Sequence, residues 1–151
     1  MLDGLLHILL GNEDAHRASE RKNPAFALAV LLIEVARSDD GVEDRAQGVI
    51  QRALALRFGL ERSEVIRLIK AAEERATEAT DLFHFTRVVV ENFTEEERIG
   101  VIETLWEVVY SNGVLTGDED ALIRRVAGLI YVSDRDRREA RRRVMQRFEI
   151  E

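Results

Sequence analysis

At 151 residues, with 46% hydrophobic and 34% charged residues, the chain is long enough to bury one core and too apolar to stay disordered. Its formal net charge of −7 opposes a polyanionic partner, so nucleic acid is disfavoured. The absence of cysteine excludes disulfides, thiolate metal sites and cysteine nucleophiles, and it fits a cytoplasmic setting.

One proline and nine glycines leave little punctuation. Apolar residues recur at spacings of three and four, without strict alternation. Together these predict an all-α fold, a single-domain bundle of about seven helices with a short additional helix at the N-terminus. Residues 2–10, within MLDGLLHILLG, read as that short amphipathic helix. The segment lacks a basic n-region and a small-residue cleavage site, so it does not read as a signal peptide. It is also too short for stable membrane binding by itself, which leaves covering the body or pairing in a homodimer. Residues 12–23 are polar and read as a connection. The chain therefore divides into residues 1–22, helix and linker, and residues 23–151, the helical domain. No apolar run approaches the about 18 residues of a membrane span, so no transmembrane segment is expected.

Asn23 reads as an N-cap with Pro24 at the first helical position, where no backbone N–H is needed. The following AFALAVLLIEVARS is apolar on almost all sides and should be the central buried helix. After an acidic turn at Asp39 and Asp40, residues 43–58 form a second helix ended by Gly59. Residues 62–78 and 81–92 give the third and fourth. Thr94 and Glu97 have capping-box spacing and open a fifth helix, 95–110. A sixth covers 118–131. Ser133 with Asp136 opens the last, 134–148.

Two joints have the same character: IEVARSDDGVEDRA (33–46) and WEVVYSNGVLTGDED (106–120). Glu34-Val35 aligns with Glu107-Val108 at an offset of 73, and Phe58-Gly59-Leu60 with Ile130-Tyr131-Val132 at 72. Helices one to three and five to seven thus read as two copies of a three-helix unit in a pseudo-twofold relation. The match is one of pattern, not of letters.

The acidic turns admit two explanations. Oxygen ligands gathered on a glycine-containing turn suit a hard cation such as Ca²⁺, Mg²⁺ or Mn²⁺. Acidic residues at helix N-termini also favour the macrodipole and cap open N–H groups, which alone accounts for Asp40, Glu43, Asp118 and Glu119. The loops lack the alternating ligands of an EF-hand.

Residues 81–136, DLFHFTRVVVENFTEEERIGVIETLWEVVYSNGVLTGDEDALIRRVAGLIYVSDRD, resemble the tellurite-resistance TerB-like family. The nearest branch carries a DLY-x-FT segment, an LW-x-VAYADG-x-L turn and an RRVA-x-LL-x-VS tail. Residues 28–41 look like the first-repeat counterpart, so the resemblance covers about 25–145. It implies an all-helical domain of two repeats and an acidic cluster suspected of binding a divalent metal. Carried onto this chain, the candidate ligands are Asp39, Asp40, Asn112 and Glu119. The family's Ala-Asp-Gly turn reads Ser111-Asn112-Gly113 here, with Glu119 in the later Glu place. In the first turn that Glu falls on Ala46 or Gln47, so each copy lacks one acidic group and a site here would be weak.

His7, His16 and His84 form no pair at metal-ligand spacing, and His84, between Phe83 and Phe85, reads as a partly buried histidine. There is no nucleophile motif and no phosphate loop. Residues 133–148 carry seven arginines against Asp134, Asp136 and Glu139. They suit pairing with the protein's own acidic surface, docking to an acidic protein, or an anion. Trp106 and Tyr110 read as core. The expected function is non-enzymatic: a protein-interaction or stress/metal-response module with an unidentified protein partner and a weak divalent-cation site. The alternatives are a metal-dependent hydrolase using the same carboxylates and an anion-binding adaptor acting through the arginine-rich helix.

Overall fold

The computed structural model describes residues 23–37, 41–77, 82–111 and 115–150. The expected helix at 2–10 and the polar connection after it lie outside the described residues. Seven helices are described: α1 (Pro24–Ala36), α2 (Asp44–Phe58), α3 (Arg62–Thr77), α4 (Leu82–Asn92), α5 (Glu95–Tyr110), α6 (Gly117–Leu129) and α7 (Asp134–Arg147). The described residues contain no strand, so the fold is all-α.

Local chemistry explains where the helices begin. Asn23 Oδ1 accepts from the backbone N–H groups of Ala25 (2.8 Å) and Phe26 (3.2 Å), satisfying two open donors of the first turn, while Pro24 has no N–H to satisfy. Thr94 and Glu97 close a reciprocal capping box, and Ser133 accepts from the Asp136 N–H. The sixth helix differs from expectation at both ends. It starts at Gly117 behind a full capping box of Thr116 and Glu119, and it stops at Leu129 rather than 131.

α1 is the axis of the bundle. Every residue from Ala25 to Ile33 is buried, as are Val35 and Ala36. It packs against α2, α3, α4, α5 and α6, so its apolar surface is covered on all sides, as the sequence demands. The other central helix, α5, buries Val101, Ile102, Leu105, Trp106, Val108, Val109 and Tyr110. Truncating a buried leucine such as Leu32 to alanine in a core of this kind costs about 2–5 kcal/mol.

Within each half, the three helices touch one another: α1, α2 and α3 in the first, α5, α6 and α7 in the second. The aligned positions after α2 and α6 also fold alike. Gly59 has φ 62° and Tyr131 φ 61°, both left-handed. Leu60 N–H donates to Ala55 O (3.2 Å), and Val132 N–H donates to Ala127 O (2.9 Å), the same six-to-one closure at a separation of 72 residues. Glycine accepts this conformation freely; tyrosine does not.

Candidate functional site

Of the four candidate cation ligands, Asp39, Asp40 and Asn112 lie outside the described residues, as does Gly113. Glu119 is described, and it is part of a cap. Its Oε1 accepts from the Thr116 N–H at 2.9 Å, while its own N–H donates to Thr116 Oγ1 at 3.2 Å. Its Oε2 makes no hydrogen bond to a described residue. Nearby, Asp120 pairs with Arg124 at 3.2 Å. At the first joint Glu43 occupies the N-cap position of α2 without a side-chain cap hydrogen bond, so the capping role expected of it is not realised there. Among the described residues, no three His, Asp or Glu side chains converge so that they could hold a metal.

The arginine-rich α7 is largely turned onto its own protein. Arg147 bonds Glu103 and Glu107 of α5, the latter at 2.9 Å, and Arg143 bonds Glu103 at 3.2 Å. Arg137, buried, pairs with Asp134, and its carbonyl accepts from buried Trp106 Nε1 at 3.2 Å. Arg141 donates to Tyr110 Oη at 2.7 Å and lies over the Trp106 ring at 5.3 Å, a cation–π contact. Trp106 and Tyr110 are core residues, as expected. Glu103 and Glu107, one turn apart, are bridged by Arg147, which offsets part of their repulsion. Burial pushes the Glu107 carboxyl above its ordinary range, Arg147 draws it down, and Glu103 pushes it further up. Arg138 and Arg142 remain on the outward face.

Several concavities among the described residues are lined by solvent-exposed apolar side chains, and two of them bear on function. Between α2 and α5 runs an open cleft of about 370 Å³, lined by Val49, Arg52, Ala53, Leu56, Arg57, Thr104, Glu107 and Phe148. Between α4 and α6 lies a smaller groove of about 260 Å³, with Phe83, Thr86, Val90, Leu129 and Tyr131, rimmed by the Arg87–Glu91 ion pair at 3.0 Å. Phe83 is 61% and Tyr131 73% exposed. Sequence reasoning missed this aromatic pair, because Phe83 lies beside the apolar Leu82 and Phe85, Tyr131 sits in an apolar run, and only the fold shows which side they face. The signal available was Tyr131 at the position aligned with Gly59.

The family model for tellurite resistance protein TerB matches residues 25–142, from the first turn of α1 into α7. The chain belongs to the TerB family. No curated protein and no solved structure matches it. Family membership makes this a tellurite-resistance-related helical domain. Among the described residues, no helix is long and apolar enough to cross a membrane. The apolar α1, at 13 residues, is well short of the about 20 that a span needs.

Proposed function

We propose that this TerB-family chain is a non-enzymatic protein-interaction module of the stress/metal-response kind, working in the cytoplasm through residues 23–151. The observation that carries the proposal is the exposed aromatic pair Phe83 and Tyr131. Tyr131 holds a left-handed backbone where its aligned partner is glycine, and it gains little burial in return. Strain kept at an exposed aromatic residue is the pattern of a binding anchor, which recovers its cost only when a partner covers it. The groove beside it takes an apolar side chain, and its rim ion pair carries no net charge. The matching closures after α2 and α6 support the reading of a duplicated three-helix unit, in which the two acidic joints correspond in sequence.

Affinity purification of the full chain tests this. The wild type retains a stoichiometric protein partner that the double variant Phe83→Ser/Tyr131→Gly, checked for folding by circular dichroism, releases. Equal recovery by both contradicts the proposal.

The second reading is a weak divalent-cation site formed by Asp39, Asp40, Asn112 and Glu119. It is favoured by Glu119 Oε2, which has no hydrogen bond to a described residue and so leaves one oxygen for Ca²⁺, Mg²⁺ or Mn²⁺ after capping. Calorimetric titration of chelator-stripped protein, beside Asp39→Ala and Glu119→Ala, separates the two roles. Micromolar binding lost in either variant supports the site; no heat leaves Glu119 as a cap.

A further inference from the structure

The cleft between α2 and α5 is cationic in a chain of net charge −7. Its lining holds two guanidinium groups, Arg52 and Arg57, and one carboxylate, Glu107, which Arg147 already bonds at 2.9 Å. Arg57 is half-buried, yet among the described residues no carboxylate is hydrogen-bonded to it. Its Nη1 reaches only the carbonyl of Glu97, at 3.4 Å, and the guanidinium lies 5.5 Å from the Phe93 ring centroid. The Glu97 carboxylate is held by the Thr94 N–H at 2.9 Å. Burial lowers the Arg57 pKa, with Glu97 raising it to a smaller extent. Arg52 is exposed and makes no ion pair at bonding distance among the described residues, although its charge is felt by the Glu107 carboxylate.

The position of Arg57 is shaped by the sequence of α5. A Cβ added at Gly100 would lie 2.8 Å from Arg57 Nη2, so the glycine leaves a notch in which the guanidinium rests. The apolar part of the cleft is equally open. Leu56 is 78% exposed, and Val49, Ala53 and Phe148 line the same cleft. A planar guanidinium fits a carboxylate in a two-pronged geometry, and the neighbouring apolar surface fits an aliphatic or aromatic side chain.

We propose that this cleft docks an acidic peptide segment of a protein partner, its carboxylates meeting Arg52 and Arg57 and an adjacent apolar side chain covering Leu56 and Phe148. The cleft is short and its two cations are spaced by apolar residues, which suits a peptide rather than a continuous polyanion. The surface lies on α2 and α5, apart from the Phe83–Tyr131 groove on α4 and α6, so the two can succeed or fail separately.

The test titrates the full chain, ¹⁵N-labelled at arginine, with the acetylated peptide Asp-Leu-Leu-Glu-Phe-Leu and with its Asn/Gln isostere. The acidic peptide is expected to move the Nε–Hε signals of Arg52 and Arg57 saturably and to bind about tenfold more tightly than the isostere. Arg57→Gln should weaken it about fivefold or more. So should Gly100→Ala, which favours the helix but pushes the guanidinium end of Arg57 aside. Tyr131→Gly should leave it unchanged. Equal binding of the isostere overturns the proposal, as does full affinity in Gly100→Ala. A larger response of Arg57 to inorganic phosphate or to phosphatidylserine vesicles than to the peptide also overturns it, assigning the cleft to phosphate instead.

Discussion

Replacing Tyr131 with glycine should make the protein more stable. The residue sits at φ 61°, a conformation that costs an L-residue about 1–2 kcal/mol and glycine almost nothing. Against that stands the extra freedom of glycine in the unfolded chain, about 0.4–1 kcal/mol. Tyr131 is 73% exposed, so removing its ring forfeits only its small buried part at the groove that Phe83 and Leu129 also line. The net gain is about 0.5–1 kcal/mol, which for a chain of this size raises Tm by about 1–4 °C. The aligned position supplies the reverse experiment. Gly59 has φ 62° and nothing within 4 Å of an added Cβ, so Gly59→Ala introduces backbone strain without a clash. It should lose about 1 kcal/mol. Urea denaturation of both variants, with calorimetric melting as a second readout, measures the pair. A destabilised Tyr131→Gly together with a neutral Gly59→Ala would refute both the strain and the correspondence of the two turns.

Other consequences follow from the contacts. Thr116→Ala and Thr94→Ala should each lose about 1 kcal/mol by urea denaturation, because each opens a capping box. Trp106→Phe leaves the Arg137 carbonyl without its indole donor and should cost about 1–3 kcal/mol, read in the same assay. Two carboxylates of α5 should respond oppositely to pH. Burial holds the Glu107 proton more tightly in the folded chain than in the unfolded one, so its contribution to stability declines as pH rises from the ordinary carboxylate range through its folded value. Glu97, held low by its bonds to Thr94, contributes stability that is present above that range and lost as pH falls through its folded value. Denaturation between pH 3 and 7 should therefore show Glu107→Gln flattening the decline on the upper side and Glu97→Gln flattening the loss on the lower side.

Much of the fold is legible in the letters, for reasons visible residue by residue. Asn23-Pro24, Thr94 with Glu97, and Ser133 with Asp136 mark helix starts because each side chain supplies an acceptor at the spacing the open N–H groups need. The uninterrupted apolar run behind Pro24 marks the buried axis. The sixth helix shows where such signals fail. Thr116-Gly117-Asp118-Glu119 is a capping box, but the glycine inside it reads as a breaker, which delays the expected start. At the other end no glycine follows Leu129, so the stop is invisible until the backbone shows Tyr131 doing what Gly59 does at the aligned position. The arginines of α7 were readable as a charged helix. Which of them face Glu103 and Glu107 depends on how α5 and α7 pack, a long-range fact that periodicity does not carry. The α2–α5 cleft was hidden for the same reason, since Arg57 and Gly100 meet only in the fold.

The most direct test of the interaction module is site-specific photocrosslinking in cells, with benzoylphenylalanine placed at Phe83 and, as a control on the outward face of α7, at Arg138. The account predicts one dominant protein adduct from position 83, absent from position 138 and lost when Tyr131 is also changed to glycine. Adducts equal in identity and yield from both positions, or an adduct indifferent to Tyr131→Gly, would contradict it.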